Sequence, residues 1–355
     1  MIKILHSADW HLDSPLVFRS AEQSKYLRTA LAQIPSKIAA ICKEENCDLM
    51  LLAGDLFDGA ASAATVQALK QTLRDVEVPV FITPGNHDYI GADSVWTGEA
   101  WPENVHIFTR STLESVVIED LDLRIYGGGF TAMDCPGLLS GFTADAPQQH
   151  KVGILHADPT QTSSPYCPIS RQQVQNSGLD YLALGHIHKG DDFRAGSTLC
   201  AWPGCPMGRG YDEEGEKGVL IVTLDDTAET KFVPLDTPRF YDLEIPAGDN
   251  PAEALDSVLP AAGNRDFYRI TFTGHSNALD TDLLLRPEFP NLLLRDRTVP
   301  PVDVWGSAGQ DTFEGRYFKL LQDKLADADE DTKRKIYLAA EISRKILDGQ
   351  EVALP

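Results

Sequence analysis

Short apolar runs with little internal charge alternate along the chain with longer segments in which apolar residues recur every three or four positions. The runs lie at 3–8, 48–53 and 78–83. They are typical of strands buried on both faces, whereas the longer segments predict helices. One helical segment covers 21–45, where Pro35 marks a break or a second helix start. A crossover helix is predicted by the spacing of Val66, Leu69, Leu73 and Val76. This alternation predicts a layered α/β domain.

The sequence after residue 104 predicts mostly strands. Further strands are predicted at 115–118, 121–126, 150–155, 179–184, 218–224 and 230–235. The first two bracket an acidic turn and the last two lie around Asp225, Asp226 and Thr227, so each pair predicts a hairpin. The first domain is therefore expected to end shortly after the second hairpin.

Composition changes near Asp236, Thr237 and Pro238, which marks a domain boundary. Beyond it the pattern predicts strands at 240–245, 267–272 and 292–295 and a helix at 252–259, a small βαββ unit. Pro300 and Pro301 indicate a linker. The pattern over 311–349 predicts two helices separated by a charged turn at 327–331. The predicted parts are a core domain (1–238), a small α/β domain (239–302) and a C-terminal helical segment (303–355).

Polar side chains follow five of the predicted strands, at the point where each strand ends. They are Asp9 and His11, Asp55 and Asp58, Asn86 with His87 and Asp88, His156, and His186 with His188. Such residues cannot fill a core, because their desolvation would be uncompensated. Past the carboxyl end of a strand they face a crevice, which is where open α/β sheets carry their sites. We therefore expect one shared site.

Carboxylates, an amide oxygen and imidazoles without a thiolate form a ligand set that suits Mn²⁺, Fe²⁺ or Zn²⁺. The ligands number more than one ion takes, and two ions bridged by Asp55 would use seven of the side chains. Two such ions can lower the pKa of bound water and stabilise a displacement at phosphorus. His87 is surplus to the coordination count and is free to protonate a leaving alkoxide, with Asp58 fixing its tautomer.

These motifs, in this order, resemble those of the calcineurin-like metallophosphoesterases. The match comprises Asp9-x-His11, Gly54-Asp55-x-x-Asp58, Gly85-Asn86-His87-Asp88, His156 and Gly185-His186-x-His188. The opening stretch 5–16 and the stretch 181–189 are similar, more narrowly, to the bacterial DNA-repair exonucleases of the SbcD and YhaO type, and so are the short stretches 202–204, 208–209 and 216–218. The resemblance covers roughly residues 1–235. It implies a layered β-sandwich core flanked by helices, with 239–302 as a small capping domain followed by C-terminal helices.

The resemblance also implies roles and partners. One metal would take Asp9, His11, Asp55 and His188, and the other would take Asp55, Asn86, His156 and His186. The cofactors would be two divalent ions, Mn²⁺ foremost, with Fe or Zn as alternatives. Expected partners are DNA and an SMC-like ATPase of the SbcC type, and a homodimer is compatible with the resemblance. His87 would be the acid, Asp58 its orienting partner, and Arg209, in a glycine-rich loop, would contact substrate.

Composition and charge modify this picture. The net charge is −22 and the pI about 4.7, which argues against a generic nucleic-acid-binding protein, although not against an enzyme with a locally positive site. Six cysteines without a Cys-x-x-Cys pair predict reduced thiols and a cytoplasmic protein. The start of the chain does not resemble a signal peptide, and no stretch has the roughly 20 apolar residues of a membrane helix.

Two alternatives to a DNA nuclease remain open. A phosphodiesterase or phosphatase for a small molecule, such as a cyclic nucleotide, suits the negative charge, because a small anion needs only the metal centre. Gly59 and Ala60 stand where the phosphatase branch of the family has Arg-Gly, which disfavours a protein phosphatase. A scaffold without activity is disfavoured by the complete ligand set. Outside the motifs, His6 is interpreted as a core residue or as one that supports the site from behind the ligands, and His106, His150 and His275 as core or surface residues.

Overall fold

The computed structural model describes residues 1–98, 100–300 and 303–349. Two compact units divide the chain. The first comprises 1–242, 264–269 and 288–293, and the second comprises 243–263, 270–287 and the rest from 294. The division into 1–238, 239–302 and 303–355 stays a prediction. Its second boundary and the end of its last part, like Pro301 of the predicted linker, lie outside the described residues.

The predicted strands and helices form with end points shifted by a few residues. The strands are β1 (Ile2–Ser7), β2 (Leu49–Leu52), β3 (Val80–Ile82), β4 (Val105–Ile107), β5 (Glu114–Ile118), β6 (Leu123–Gly128), β7 (His150–His156), β8 (Tyr181–Gly185), β9 (Lys189–Ala195), β10 (Thr198–Gly204), β11 (Gly218–Leu224), β12 (Ala228–Pro234), β13 (Phe240–Pro246), β14 (Phe267–Thr273) and β15 (Leu292–Asp296). The helices are α1 (Ala21–Ala32), α2 (Ile34–Glu44), α3 (Ala63–Val76), α4 (Val95–Gly98), α5 (Arg171–Asn176), α6 (Pro251–Asp256), α7 (Phe313–Leu325) and α8 (Glu330–Leu347).

Two six-stranded sheets make up most of the first unit, in the orders β12-β11-β1-β2-β3-β4 and β5-β6-β7-β8-β10-β9. In the first sheet β1, β2, β3 and β4 run parallel, and β11 is antiparallel to β1. The closing hairpin β11–β12 thus joins the sheet that opens the chain. The hairpin β9–β10 was not predicted, because Lys189–Ala195 is an exposed, charged edge strand without an apolar pattern.

Three apolar layers explain why the central strands of both sheets carry almost no charge. Between the sheets, Ile4 and Leu51 of the first pack in one cluster with Ile154 and Tyr181 of the second. On the outer face of the first sheet, strand residues pack against α1, α2 and α3, in a cluster that includes Leu5, Met50, Leu27, Ile38 and Leu69. On the outer face of the second, Leu155 and Leu182 pack with Val174 of α5. Each central strand is therefore buried on both faces, as expected for a layered β-sandwich flanked by helices.

The remaining strands and helices follow the predicted order. β13, β14 and β15 form a three-stranded sheet, with α6 between the first two in sequence. In the second unit α7 and α8 pack against each other, Phe318 and Ala340 are buried, and the hydroxyls of Tyr317 and Ser343 lie 2.8 Å apart. The predicted charged turn at 327–331 is shorter than expected, because Asp329 caps α8 through its side chain. In the part of the chain that the structure describes, every helix is too short or too polar to cross a membrane.

His6 is a core residue, which agrees with its interpretation from the sequence. It lies two positions beyond Ile4 on the inner face of β1 and is fully buried. Its Nδ1 accepts from the Tyr181 hydroxyl at 2.7 Å and its Nε2 donates to the Leu184 carbonyl at 3.1 Å. Burial lowers the pKa of His6 to about 3, so the ring is neutral at ordinary pH.

We expect the cost of replacing His6 by phenylalanine to shrink as the pH falls. Near pH 8 His6→Phe should destabilise by about 1–3 kcal/mol, because the Tyr181 hydroxyl and the Leu184 carbonyl lose their partner. Between pH 6.5 and about 3 the unfolded wild type binds a proton that the folded one does not, so the wild type loses up to about 1.4 kcal/mol per pH unit. Urea unfolding of both proteins at pH 8, 5.5 and 4.5, with chelator present, measures this. A pH-independent difference would contradict it.

Candidate metal centre

The turns after β1 and β2 are locked together by backbone hydrogen bonds. Asp9 N donates to Gly54 O and His11 N donates to Asp55 O, both at 3.0 Å. Asp9, His11 and Asp55 have φ values of 55°, 49° and 51°, the left-handed region that L-residues rarely occupy. Each such residue costs on the order of 1 kcal/mol, so the paired turns must hold it there. This backbone conformation directs the side chains of Asp9, His11 and Asp55, from the ends of two adjacent strands, toward one another.

Glycines let the strand ends approach one another. A Cβ atom on Gly54 would lie 2.5 Å from His156 Nδ1, and one on Gly85 would lie 2.2 Å from Asp55 Oδ1. A Cβ atom on Gly185 would lie 1.9 Å from Ala53 O. These glycines precede Asp55, Asn86 and His186, so the glycine in each motif is required by close packing.

Asp55, Asn86 and His156 converge in a buried cluster. His156 Nδ1 donates to Ala53 O at 3.1 Å, so in the neutral ring Nε2 carries the lone pair. That nitrogen lies 3.0 Å from Asn86 Oδ1 and 3.4 Å from Asp55 Oδ2, so it faces two oxygens that can only accept. Burial alone would lower the pKa of His156, but the Asp55 and Asp9 carboxylates raise it to about 9. A positive charge is therefore required here, as a proton or as a metal ion.

A second cluster contains Asp9, His11 and His188, whose ligand atoms lie within 4.8 Å of one another. His11 Nε2 and His188 Nε2 are 3.2 Å apart. His11 is fully buried, and its Nδ1 makes no hydrogen bond. Two ring nitrogens this close to each other and to the Asp9 carboxylate fit a shared cation better than a direct contact. Asp55 Oδ2, 3.9 Å from His11 Nε2, connects this cluster to the one around His156.

His186 lies beside the two clusters, but its ring nitrogens are not among the ligand atoms that lie within 4.8 Å of one another in either cluster. Its backbone N donates to both Asp9 oxygens, at 3.0 and 3.1 Å. Its ring centroid is 5.2 Å from that of His156 and 4.9 Å from that of Tyr166. The structure therefore brings His186 to the centre through its backbone and leaves its ring at the edge.

His87 and Asp58 form a pair next to the buried clusters. His87 Nδ1 lies 3.0 Å from Asp58 Oδ1, and the His87 side chain is 45% exposed. His11, whose Nδ1 is 3.6 Å from the same oxygen, holds the pKa of Asp58 below its usual range, so Asp58 is ionised and accepts a hydrogen bond from His87 Nδ1. Backbone N of His87 donates to Asp55 Oδ1 at 2.9 Å. His87 is thus fixed at its backbone and at Nδ1, and Nε2 remains to face a substrate.

Asp88 ties two motif turns together. Its Oδ1 accepts from Gly85 N at 2.7 Å, and its Oδ2 accepts from Leu56 N at 2.8 Å. Burial, with the nearby charge of Asp55, raises the pKa of Asp88 to about 7. Asp88 therefore stabilises its own turn and joins it to the neighbouring one.

Glu213 is a residue of this site that the sequence did not reveal. It is buried, and its Oε1 lies 2.7 Å from His188 Nδ1. Arg209, predicted to bind substrate, donates through Nη2 to the same oxygen at 2.9 Å. Asp212 and Glu214 on either side are exposed. In the sequence alone, Glu213 therefore cannot be distinguished from the other residues of a solvated acidic stretch. The only signal was its place between the similar segments around Arg209 and Lys217. The substrate-binding role of Arg209 stays a prediction.

Comparison with known proteins bears on the same part of the chain. The sequence profile of the calcineurin-like phosphoesterases matches residues 2–190. The chain is 34% identical over 242 residues to an uncharacterized metallophosphoesterase, YhaO, of Bacillus subtilis, covering 62% of this chain and 57% of YhaO. The chain thus spans little more than half the length of that relative.

Two further similarities are more distant. Identity to SbcD, a subunit of the SbcCD nuclease of Staphylococcus epidermidis, is 23% over 337 residues, which covers 84% of this chain and 86% of that protein. Among solved structures, a dimetal phosphatase from Danio rerio is 11% identical with a TM-score of 0.42, over 65% of this chain and 98% of that one.

Proposed function

This chain belongs to the calcineurin-like phosphoesterase family, and we propose that it is a metal-dependent phosphodiesterase that hydrolyses DNA. The observation that carries the proposal is the convergence of carboxylate, amide and imidazole ligand atoms around Asp55. His156 Nε2 lies 3.0 Å from Asn86 Oδ1 and 3.4 Å from Asp55 Oδ2, and His11 Nε2 lies 3.2 Å from His188 Nε2. Buried acceptors in such contact require cations.

We assign the ligands as the motifs suggest, with Asp55 shared by two divalent ions. One ion would be held by Asp9, His11, Asp55 and His188, and the other by Asp55, Asn86, His156 and His186. The ligand atoms of Asp9, His11 and His188 lie within 4.8 Å of one another, which supports the first set. His156 Nε2 lies 3.0 Å from Asn86 Oδ1 and 3.4 Å from Asp55 Oδ2, which supports the second. Bound divalent ions supply hydroxide near neutral pH and stabilise charge on a phosphoryl group. Mn²⁺ is our choice for this nitrogen and oxygen set, with Fe²⁺ and Zn²⁺ as alternatives.

The residues around the ions perform the proton chemistry. His87, with Nδ1 held by Asp58, presents Nε2 at the exposed side of the site and donates a proton from it to the leaving oxygen. Asp58 stays ionised and stabilises the charged imidazole before the proton leaves. Asp88 keeps the backbone of the His87 turn in place against β2.

The space beside His87 supports a diester as substrate. A cavity of about 390 Å³ is lined by Gly59, Ala60, His87 and Tyr89, among others. Small residues at 59 and 60 leave room next to the proton donor, where the leaving group of a nucleic acid carries a sugar and a base. The aromatic ring of Tyr89, 39% exposed, offers a surface on which a base can stack.

DNA is favoured over a small diester by the relative that belongs to a nuclease and aligns with 84% of this chain. The opposing observation is the net charge of −22, which favours a small anionic diester such as a cyclic nucleotide. We propose an SMC-like ATPase of the SbcC type as partner, which would contribute positive surface to a complex in which this chain has a net charge of −22. Exposed apolar residues on α7 and α8, including Phe313, Leu320 and Ile346, are the contact surface we favour. A homodimer is a further proposal.

The test is hydrolysis of DNA by the purified protein with Mn²⁺, alone and with its ATPase. We expect degradation or nicking of linear duplex or single-stranded DNA, lost on chelation and restored by Mn²⁺. His275→Ala, an exposed histidine outside the site, is the control and should retain full activity. Cleavage of a cyclic nucleotide with no action on DNA in either setting would replace DNA by the small diester. No hydrolysis of any phosphodiester would refute the proposed activity.

A further inference from the structure

We propose that Glu213 is a positioning residue that sets which nitrogen of His188 faces the metal centre. The inference rests on the proposed function only in that His188 is taken as a metal ligand. Glu213 Oε1 lies 2.7 Å from His188 Nδ1. This is shorter than the distance from His188 Nε2 to His11 Nε2, 3.2 Å, and from His188 Nδ1 to Arg209 Nη2, 3.3 Å. Glu213 itself is 8% exposed, so water does not compete for this contact.

The protonation pattern follows from the groups involved. An ionised carboxylate only accepts, so the proton of the neutral His188 ring must be on Nδ1. Nε2 then carries the lone pair, and it is Nε2 that lies 3.2 Å from His11 Nε2 and within reach of Asp9. Without a partner at Nδ1 the ring could adopt the other tautomer, or rotate, and turn its donor nitrogen away. Carboxylates that hold a ligating histidine in this way also make it a stronger ligand.

Arg209 acts on Glu213. Its backbone N donates to Oε2 at 2.8 Å and its Nη2 donates to Oε1 at 2.9 Å, so it holds both oxygens of the carboxylate. Nη2 is also 3.3 Å from His188 Nδ1, but both atoms carry protons and converge on the same oxygen. The guanidinium therefore keeps Glu213 ionised and fixed in direction, and it offsets the cost of burying that charge.

The main chain of His188 is held by residues of the segment 204–217, which also contains Arg209 and Glu213. Its carbonyl accepts from Cys205 N at 3.2 Å and from Lys217 Nζ at 3.4 Å. A Cβ atom on Gly204 would lie 2.6 Å from that carbonyl oxygen, so glycine is needed for the approach. Backbone and ring of His188 are thus both fixed by residues 204–217, a segment that contributes no proposed metal ligand.

The two histidine clusters differ in this respect. His156 is oriented by a neutral partner, the carbonyl of Ala53, at 3.1 Å. His188 is oriented by a charged one, which in turn depends on Arg209. Loss of Glu213 should therefore weaken one metal site and spare the other, a selectivity that general damage to the fold would not produce.

The experiment is a Mn²⁺ titration of the full chain, followed by electron paramagnetic resonance of free Mn²⁺. We expect two ions per wild-type chain. In Glu213→Ala one ion should bind about 10- to 100-fold more weakly while the other is unchanged. Glu213→Gln, which keeps an acceptor for Nδ1 but not the charge, should lie between them. Glu214→Gln, the same change at the exposed neighbour, is the matched control and should bind as the wild type does.

Titration with Co²⁺ provides a second readout, because its visible absorption reports the ligands around each ion. Glu213→Ala should alter the band of one site only, and circular dichroism should show that the variant is folded. Wild-type affinity and spectrum at both sites in Glu213→Ala and Glu213→Gln, or equal weakening of both sites, would overturn the inference. Two tightly bound ions in a wild type that cleaves no diester would refute the proposed function and leave this inference standing.

Discussion

Asp55→Asn is expected to lower phosphodiesterase activity by at least about 10³-fold, because several kcal/mol of charge stabilisation at phosphorus depend on the metal centre. Asp55 is fully desolvated, and its Oδ2 lies 3.4 Å from His156 Nε2 and 3.9 Å from His11 Nε2. It is the carboxylate that joins the two clusters. An amide of the same shape keeps the size of the side chain but removes the charge on which both ions would depend.

The measurements are kcat on a diester and the metal content after gel filtration. We expect fewer than two tightly bound ions per chain in Asp55→Asn. The control is Asp75→Asn, the same change on the exposed surface of α3, which should leave rate and metal content unaltered. Wild-type metal content with wild-type kcat in Asp55→Asn would show that the centre does not operate as proposed.

The second large effect is expected for His87→Ala, with kcat on DNA lowered about 10²- to 10⁴-fold and both metal ions retained. His87 contributes a partly exposed ring held by Asp58, and no proposed ligand contact passes through that ring. Its contribution is a proton for the leaving oxygen, an alkoxide in DNA. Removal of the ring would leave the proposed metal ligands in place and take away the acid.

The leaving group distinguishes this role from a structural one. Bis-p-nitrophenyl phosphate releases a phenolate that needs no proton, so His87→Ala should lose far less activity on it than on DNA. Asp58→Asn should shift both rates in the same sense but less, because His87 keeps a partner at Nδ1 without the charge. Equal losses of His87→Ala on both substrates, or loss of bound metal, would contradict acid catalysis.

Much of the fold could be predicted from local patterns. The apolar runs before Asp9, Asp55 and Asn86 are strands because both faces of β1, β2 and β3 are buried, and burial on both faces excludes charge. The motif residues were recognisable for the complementary reason. Polar side chains that directly follow a buried strand are too costly to bury without partners, so their types and order indicated a shared site.

The tertiary structure decided which sheet each strand joins. The sequence indicated that the ends of five strands share one site, but not that β1, β2 and β3 lie in one sheet and β7 and β8 in the other. His156 therefore meets Asn86 across the sandwich, at 3.0 Å. Pairing between distant strands depends on the packing of both faces and on chain topology, which periodicity within one segment does not encode.

What the sequence determined by itself was the set of strands, the residues at their carboxyl ends and the nitrogen and oxygen chemistry they offer, since all of these follow from nearest neighbours and burial. Only the tertiary structure decided that Glu213 supports His188, that Arg209 is bound to Glu213, and that the ring of His186 lies at the edge. These contacts arise in loops without periodicity. There the partner of a polar group is chosen by where the backbone turns, and not by the residues next to it.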